Sequence, residues 1–215
     1  MMTKKVVIID YGLSNLLSIT RAFEHIGVET EVTNDPKKLA TADRIVLPGV
    51  GAFPLGINEL KKRGFFDEIK NSLEKKETPI LGICLGMQMM LTKGFEIEET
   101  EGLDLVEGEI IKLPATNTDG SKNKVPHVAW SQIYAPEGRT WENSIFKINH
   151  QRQYMYFGHS YYANTAHKAD VLSYTNFGDI NFTSAFQKDN IFGTQFHPEK
   201  SGENGLNIFR AFVEL

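Results

Sequence analysis

Pro79-Ile80-Leu81-Gly82-Ile83-Cys84-Leu85-Gly86-Met87-Gln88 opens on apolar residues of strand character, meets one glycine on each side of a cysteine, and continues in helix formers. Strand, sharp turn and helix in that order are the unit from which open α/β sheets are built. A G-x-[nucleophile]-x-G turn holds its central residue in a strained conformation, and the flanking glycines remove side chains that would collide. The Cys84 thiol would then stand at the top of a sheet, at the first turn of a helix whose unpaired N–H groups and positive dipole end favour a negative sulfur. The same stretch also fits a buried core cysteine, because free cysteine behaves as a small hydrophobe. The C-terminal part of the chain decides between the two.

Upstream of the cysteine, short β-branched runs alternate with helical patterns, the signature of a parallel sheet with crossover helices. Val6-Val7-Ile8-Ile9 reads as a strand buried on both faces. Ser14 or Asn15 can cap a helix whose apolar face carries Leu17, Phe23 and Ile26 and which stops at Gly27. Glu29 to Thr33 is a polar, edge-ward strand, followed by a short helix start at Asp35-Pro36. Arg44-Ile45-Val46-Leu47 is a third strand, ending in Pro48-Gly49-Val50-Gly51, and helices are expected near Leu55 to Arg63 and Phe65 to Lys76.

Downstream, Glu96 to Glu101 reads as a solvated acidic stretch without a role. From Val106 the runs have antiparallel character: Gly108 to Leu113, Val125 to Ile133, Tyr154 to Ala163, Val171 to Thr175, Asn181 to Gln187 and Ile191 to Phe196. Ala115 to Lys124 is expected to be a mobile loop. A last helix over Gly205 to Leu215 carries Leu206, Ile208, Phe209 and Phe212 on one face. With no repeat and no low-complexity linker, the expectation is one α/β domain over residues 1–215. Its central, mostly parallel sheet is flanked by helices and elaborated by an antiparallel β region in the second half.

The 215 residues hold 23 Lys plus Arg against 27 Asp plus Glu, with no strongly basic region, which argues against nucleic acid as a partner. One cysteine cannot form an internal disulfide and fits a reducing compartment. Met1-Met2-Thr3-Lys4-Lys5 leads into an apolar run too short for a signal peptide, and the other apolar runs are of strand length. A cytoplasmic location is expected.

A thiol nucleophile needs a base to share its proton and a group to orient that base. Of the six histidines, His197 stands out in Gly193-Thr194-Gln195-Phe196-His197-Pro198-Glu199, at the end of a strand and two residues before a carboxylate. In extended backbone, residues i and i+2 point the same way, and Pro198 biases His197 toward that conformation. Glu199 can then hold one imidazole nitrogen while the other faces Cys84. Oxyanion donors are expected from the Leu85 N–H and from Gly49, Val50 and Gly51 at the end of a parallel strand, where glycines also let the peptide plane turn.

Taken together, these residues resemble the class I glutamine amidotransferases, whose triad runs Cys, His, Glu along the chain. The likeness extends to the glutaminase subunits of imidazole glycerol phosphate synthase. It is carried by Asp10-Tyr11-Gly12 with Asn15-Leu16, Leu47-Pro48-Gly49-Val50-Gly51-Ala52-Phe53, Gly82 to Gln88, Lys124-Val125-Pro126-His127, His159-Ser160-Tyr161 and Gln195-Phe196-His197-Pro198-Glu199-Lys200-Ser201. The resemblance implies glutamine as substrate and hydrolysis to glutamate and ammonia by Cys84, His197 and Glu199, with no cofactor and no metal. It further implies Gln88, Gly51, Ser160 and Tyr161 as glutamine-binding residues, and a flip of Gly49 to Gly51 that opens the oxyanion hole when a partner is loaded. That partner would be a (β/α)8-barrel cyclase subunit in a heterodimer, receiving ammonia through a channel to make imidazole glycerol phosphate and AICAR in histidine biosynthesis. Tyr11, Asn15, His127, Trp130 and Lys200 would lie toward it, although a Trp in an alternating run is by itself a core residue more often than not. Several positions depart from the family pattern: Val128-Ala129 with Ser131 around Trp130, Gly158 before His-Ser-Tyr, and Glu203 where a basic residue is usual. None touches the triad, but they keep open a paralogue that supplies ammonia for amidinating surface-polysaccharide sugars. A non-enzymatic relative would have no reason to retain all three triad residues, and Gln88 with Lys200-Ser201 favours an amidotransferase over a γ-glutamyl hydrolase or peptidase of this fold.

Overall fold

The computed structural model describes residues 4–76 and 78–215. Met1 to Thr3, which open the stretch read as too short for a signal peptide, lie outside the described residues. The elements in chain order are β1 (Val6–Ile9), α1 (Leu16–His25), β2 (Thr30–Thr33), β3 (Arg44–Leu47), α2 (Phe53–Lys62), α3 (Phe65–Lys76), β4 (Ile80–Ile83) and α4 (Leu85–Met89). They continue as β5 (Leu91–Gly94), β6 (Thr100–Glu101), β7 (Val106–Lys112), β8 (His127–Gln132), β9 (Tyr154–His159), β10 (Tyr161–Thr165), β11 (Val171–Phe177), β12 (Ile180–Lys188), β13 (Ile191–Thr194) and α5 (Gly202–Val213). Among the described residues one large sheet has the order β2-β1-β3-β4-β13-β12-β10-β7-β5-β6, with β11 on β12, and β8 and β9 form a separate two-stranded sheet.

The parallel part holds β2, β1, β3, β4 and β13, and the antiparallel part starts where β12 joins β13, with the exception that β5 runs parallel to β7. Residues of β1 are fully buried and alternate between two apolar layers. Val6 and Ile8 join Phe23 and Phe209 on one face, whereas Val7 and Ile9 join Leu39, Phe53 and Ile57 on the other. Burying such a side chain contributes about 1.5–3 kcal/mol, so both faces hold the sheet in register. On α1 the buried residues are Ile19, Ala22 and Phe23, spaced as one helical stripe.

Several expectations need correcting. Leu17 is 61% exposed, because it sits on the helix face opposite Ile19, and Asn15 precedes α1 without a side-chain cap bond. The helix start at Asp35-Pro36 is a 3-10 turn over Pro36–Thr41. The run Tyr154 to Ala163 breaks at Ser160 into two strands of different sheets. Ile191 to Thr194 is antiparallel to β12 only on one side and runs parallel to β4 on the other. The segment read as a mobile loop is anchored, since Thr118 donates its N–H to Asp179 at 2.7 Å and Asn123 bonds both Pro114 and Asn117. No helix among the described residues is long and apolar enough to cross a membrane.

Candidate active site

Cys84 directly follows β4 with φ 54° and ψ −109°, a conformation outside the ordinary wells of an L-residue, and the five-residue α4 starts directly after it. Its N–H is tied to the Thr194 carbonyl at 2.8 Å, which fixes the turn onto the neighbouring strand. The parallel register places Gly82 opposite Gly193. A Cβ on Gly82 would stand 2.7 Å from the Met87 nitrogen, and one on Gly193 2.6 Å from Met87 Cγ. Paired glycines therefore let α4 sink onto the sheet and bring the cysteine close to the end of β13.

His197 follows β13 by three residues and is 6% exposed. Its Nδ1 lies 2.8 Å from Glu199 Oε1, a carboxylate that is itself almost wholly enclosed, and its other nitrogen is left for the hydrogen bond to Cys84. His197 is extended, with φ −99° and ψ 98°, as expected before Pro198, but the chain then enters a 3-10 turn over Pro198–Lys200 in place of a continued extended stretch, and this turn brings Glu199 to the ring nitrogen. The ring is further held by its backbone. His197 N–H donates to the Tyr156 carbonyl at 2.9 Å, and Ser201 Oγ donates to the His197 carbonyl at 2.7 Å.

Burial opposes the charge on His197, but the hydrogen bonds and charges of Cys84 and Glu199 outweigh it and raise the imidazole from 6.5 to about 10. A histidine whose folded pKa exceeds its unfolded one stabilises the fold fully below about pH 6.5, and that stabilisation is lost as pH rises through about 10. The thermal-midpoint gap between the wild type and His197→Asn is therefore expected to shrink steadily from pH 6.5 to 10. A gap that stays constant over that range would show that His197 is not held protonated.

A cavity of about 260 Å³ opens beside this pair. It is lined by Cys84, Leu85 and His197, by Val50 and Gly51, by Gln88, Glu96, Gly158 and His159, and by Ser160 and Tyr161. Gln88 is oriented by its own bonds, with Nε2 donating to the Tyr161 carbonyl at 2.8 Å and to Gln195 Oε1 at 3.0 Å. Both amide hydrogens are thereby used, leaving Gln88 Oε1 as an acceptor. Gln195 in turn points Nε2 at Cys84 Sγ, 3.7 Å away. A cysteine sulfur that shares its proton with an imidazole buttressed by a carboxylate, and an adjoining polar cleft, can support acyl transfer through a thioester.

The family model for glutamine amidotransferase class-I matches residues 7–215. The chain belongs to the class I glutamine amidotransferases. Curated relatives include "Imidazole glycerol phosphate synthase subunit HisH 1" of Legionella pneumophila strain Paris, 39% identical over 211 residues, covering 98% of this chain and 99% of that one. The HisH subunit of Carboxydothermus hydrogenoformans is 43% identical over 209 residues, covering 97% and 98%. Among solved structures, PurLQS from Thermotoga maritima superposes with TM-score 0.71 at 20% identity, covering 99% of each chain. A structure described as a glutamine amidotransferase superposes with TM-score 0.72 at 15% identity, covering 97% of each. The protein is thus a glutamine amidotransferase enzyme with the class I fold.

Residues singled out in the sequence fall unevenly in this amidotransferase. Cys84, His197, Glu199, Gln88, Gly51, Ser160, Tyr161 and Leu85 gather at or around the cavity. In the Gly49 to Gly51 segment, Val50 donates its N–H to the Leu13 carbonyl at 3.0 Å, so that donor is occupied and does not meet an oxyanion in this arrangement. Tyr11 is fully buried, its hydroxyl so close to Gly49 that a Cβ there would collide with it, and its burial together with the Cys84 charge raises the phenol above its ordinary range. It offers no surface to a partner. His127, at 6% exposure, is likewise interior, because it is the inward-facing first residue of β8. Trp130 is the reverse case: it lies outward on β8 and is 53% exposed. Lys200 is exposed with its ammonium over the Tyr156 ring, and Asn15 is half-buried.

Two residues escaped sequence reasoning. Glu96, read as part of a solvated stretch, accepts the Phe53 N–H at 2.7 Å and faces the cavity. The available signal was its position just past β5, the strand that follows the nucleophile's helix. Gln195 carried no assigned role, yet it joins Gln88 to Cys84 from two residues before His197.

Proposed function

We propose that this chain, acting as a single domain over residues 1–215, hydrolyses glutamine to glutamate and ammonia. It passes the ammonia to a (β/α)8-barrel cyclase subunit, which makes imidazole glycerol phosphate and AICAR in histidine biosynthesis. What carries the reading is the convergence on one cavity of Cys84, the His197–Glu199 pair, the oriented Gln88 amide and the Glu96 carboxylate. Cys84 Sγ, its proton already passed to His197 Nε2, attacks the carboxamide carbon, and His197 Nε2 gives that proton to the nitrogen as the C–N bond breaks and ammonia departs. The neutral imidazole then takes a proton from water, which attacks the thioester and releases glutamate. Glu199 holds the ring in place through both steps. Gln88 Oε1 and Glu96 suit the α-ammonium of glutamine, and the Ser160–Tyr161 backbone suits its carboxylate. Leu85 N–H is one oxyanion donor, and a turn of the Gly49–Val50 peptide, breaking the Val50 bond to Leu13, supplies another. The reaction so written uses no metal and no cofactor, and its setting is the cytoplasm.

The heterodimer reading rests on the cavity mouth, where Val50 and Val128 are 41% and 56% exposed, with Trp130 on the same face of β8 as Val128. An apolar rim around the point where ammonia leaves suits a protein partner better than open water. The names of the relatives at about 40% identity support the histidine route over the surface-polysaccharide route. In a glutamate-release assay the isolated chain is expected to turn over slowly. The cyclase loaded with its nucleotide substrate should raise kcat by two orders of magnitude or more, on the order of what an oxyanion donor contributes. Equal rates with and without the loaded cyclase would rule out gating by the glycine segment, and failure of the two proteins to co-purify would rule out this partner.

A further inference from the structure

Two buried histidines take no part in the bond-breaking steps, yet both are wired to the cavity. His127 begins β8 and His159 ends β9, directly opposite each other in the antiparallel register. His159 Nδ1 lies 2.9 Å from the Tyr161 carbonyl oxygen. A carbonyl only accepts, so Nδ1 carries the hydrogen and Nε2 of the neutral ring is an acceptor. His127 Nδ1, 3.1 Å from that Nε2, must then be the donor. The remaining acceptor, His127 Nε2, takes the hydroxyl of Ser131 at 2.9 Å. Only one direction is consistent with these partners: Ser131 to His127 to His159 to the Tyr161 carbonyl.

Surroundings keep the rings neutral and fixed. Burial lowers His127 from 6.5 to about 4. Burial first, with smaller contributions from His127 and His197, lowers His159 to about 3 against the opposing bond to Tyr161. His127 stacks on Phe157 with centroids 5.0 Å apart, and Phe182 stands edge-on to His159 at 5.1 Å. At the far end, the Tyr161 carbonyl also receives Gln88 Nε2. The carbonyl that sets the Gln88 amide is thus the one that terminates the histidine chain. It lies where the polypeptide leaves the two-stranded sheet for the large one, with Ser160 held on the other side by the Leu113 N–H at 2.9 Å.

We propose that His127 and His159 are positioning residues for substrate binding: their single-direction hydrogen-bond chain, anchored on Ser131, holds the Tyr161 carbonyl and through it the orientation in which Gln88 meets glutamine. This rests on the reading of Gln88, Ser160 and Tyr161 as the glutamine subsite. It gives a role to the inward-facing residues of β8, which a partner on the outward face does not touch.

The chain is testable by steady-state glutamate release from the full-length protein. His159→Leu removes the donor to Tyr161 and is expected to raise the glutamine KM about tenfold, the value of roughly one hydrogen bond, with a much smaller change in kcat. His159→Asn, whose side-chain N–H can occupy the Nδ1 position, should recover most of that loss, which a purely structural role would not predict. Gln88→Leu is measured alongside. If it raises KM while His159→Leu does not, the histidine chain is refuted and the subsite stands; if Gln88→Leu leaves KM unchanged, the subsite reading falls and the inference with it. Should His159→Leu fail to fold, nitrogen-15 spectra of the wild-type imidazoles decide. Both rings are expected neutral with the hydrogen on Nδ1, and a hydrogen on Nε2 of either ring would overturn the proposal.

Discussion

Cys84→Ala is expected to reduce glutamate release by about four orders of magnitude or more, the usual consequence of removing a covalent nucleophile from a group that acts as a unit. The loss should be confined to chemistry. Alanine has the same Cβ as cysteine, so the residue keeps whatever strain its φ of 54° imposes, and only a sulfur at the cavity wall disappears. His197 keeps Glu199, and Gln88 keeps Tyr161 and Gln195. The variant should therefore fold, with an unfolding midpoint lowered at neutral pH only by the share of the His197 stabilisation that Cys84 supplies, and should still bind glutamine in a calorimetric titration. Glutamate release at more than a few per cent of the wild-type rate, measured by coupled dehydrogenase assay, would move the nucleophile elsewhere.

The largest effect on stability is expected from Gly86→Ala. A Cβ at this position would overlap the Leu47 carbonyl oxygen, stand 2.8 Å from its carbon and lie 3.2 Å from the Pro48 carbonyl carbon. These are main-chain atoms at the end of β3, which pairs with β4 over Ile45 to Leu47. They have no rotamer to move into, so relief must come from lifting α4 off the sheet or pushing the segment before Gly49 outward. Overpacking of this kind costs about 1–3 kcal/mol where side chains can yield and more where backbone must. Urea denaturation should place Gly86→Ala at least about 3 kcal/mol below the wild type, with glutaminase activity falling in the fraction that folds. Gly158→Ala is the control. Its Cβ would meet nothing within 4 Å, and its unfolding midpoint should barely move. Equal midpoints for the two variants would show that the turn around Cys84 is not closely packed against β3.

What could be read from the sequence depended on whether a residue's partners were local. The strands β1, β3 and β4 are buried on both faces, so their apolar runs announce themselves. Cys84, His197 and Glu199 were legible because each lies in a short stretch whose backbone chemistry is peculiar, with glycines around one and a proline between the others. The break at Ser160 was not, since the run from Tyr154 to Thr165 holds no Gly-Pro or Asn-Gly turn signal where the pairing strand switches from β8 to β7 and β12. Glu96 looked solvated because its neighbours are acidic; its partner, the Phe53 N–H, is 43 residues away. Tyr11 and His127 were assigned outward by resemblance, whereas their burial is set by Gly49 on one side and by Phe157 and Phe182 on the other. No local pattern distinguishes such contacts from a solvated loop.

The side-by-side register of β4 and β13 also limits how this protein can change length. Cys84 and His197 leave the sheet from neighbouring rungs, with Ile83 beside Thr194. Adding or deleting one residue in either strand would slide one reacting group past the other by about 3.3 Å and turn its side chain to the opposite face. Insertions and deletions should thus be tolerated in the exposed stretch after Glu96, and should abolish turnover anywhere in Ile80 to Ile83 or Ile191 to Thr194.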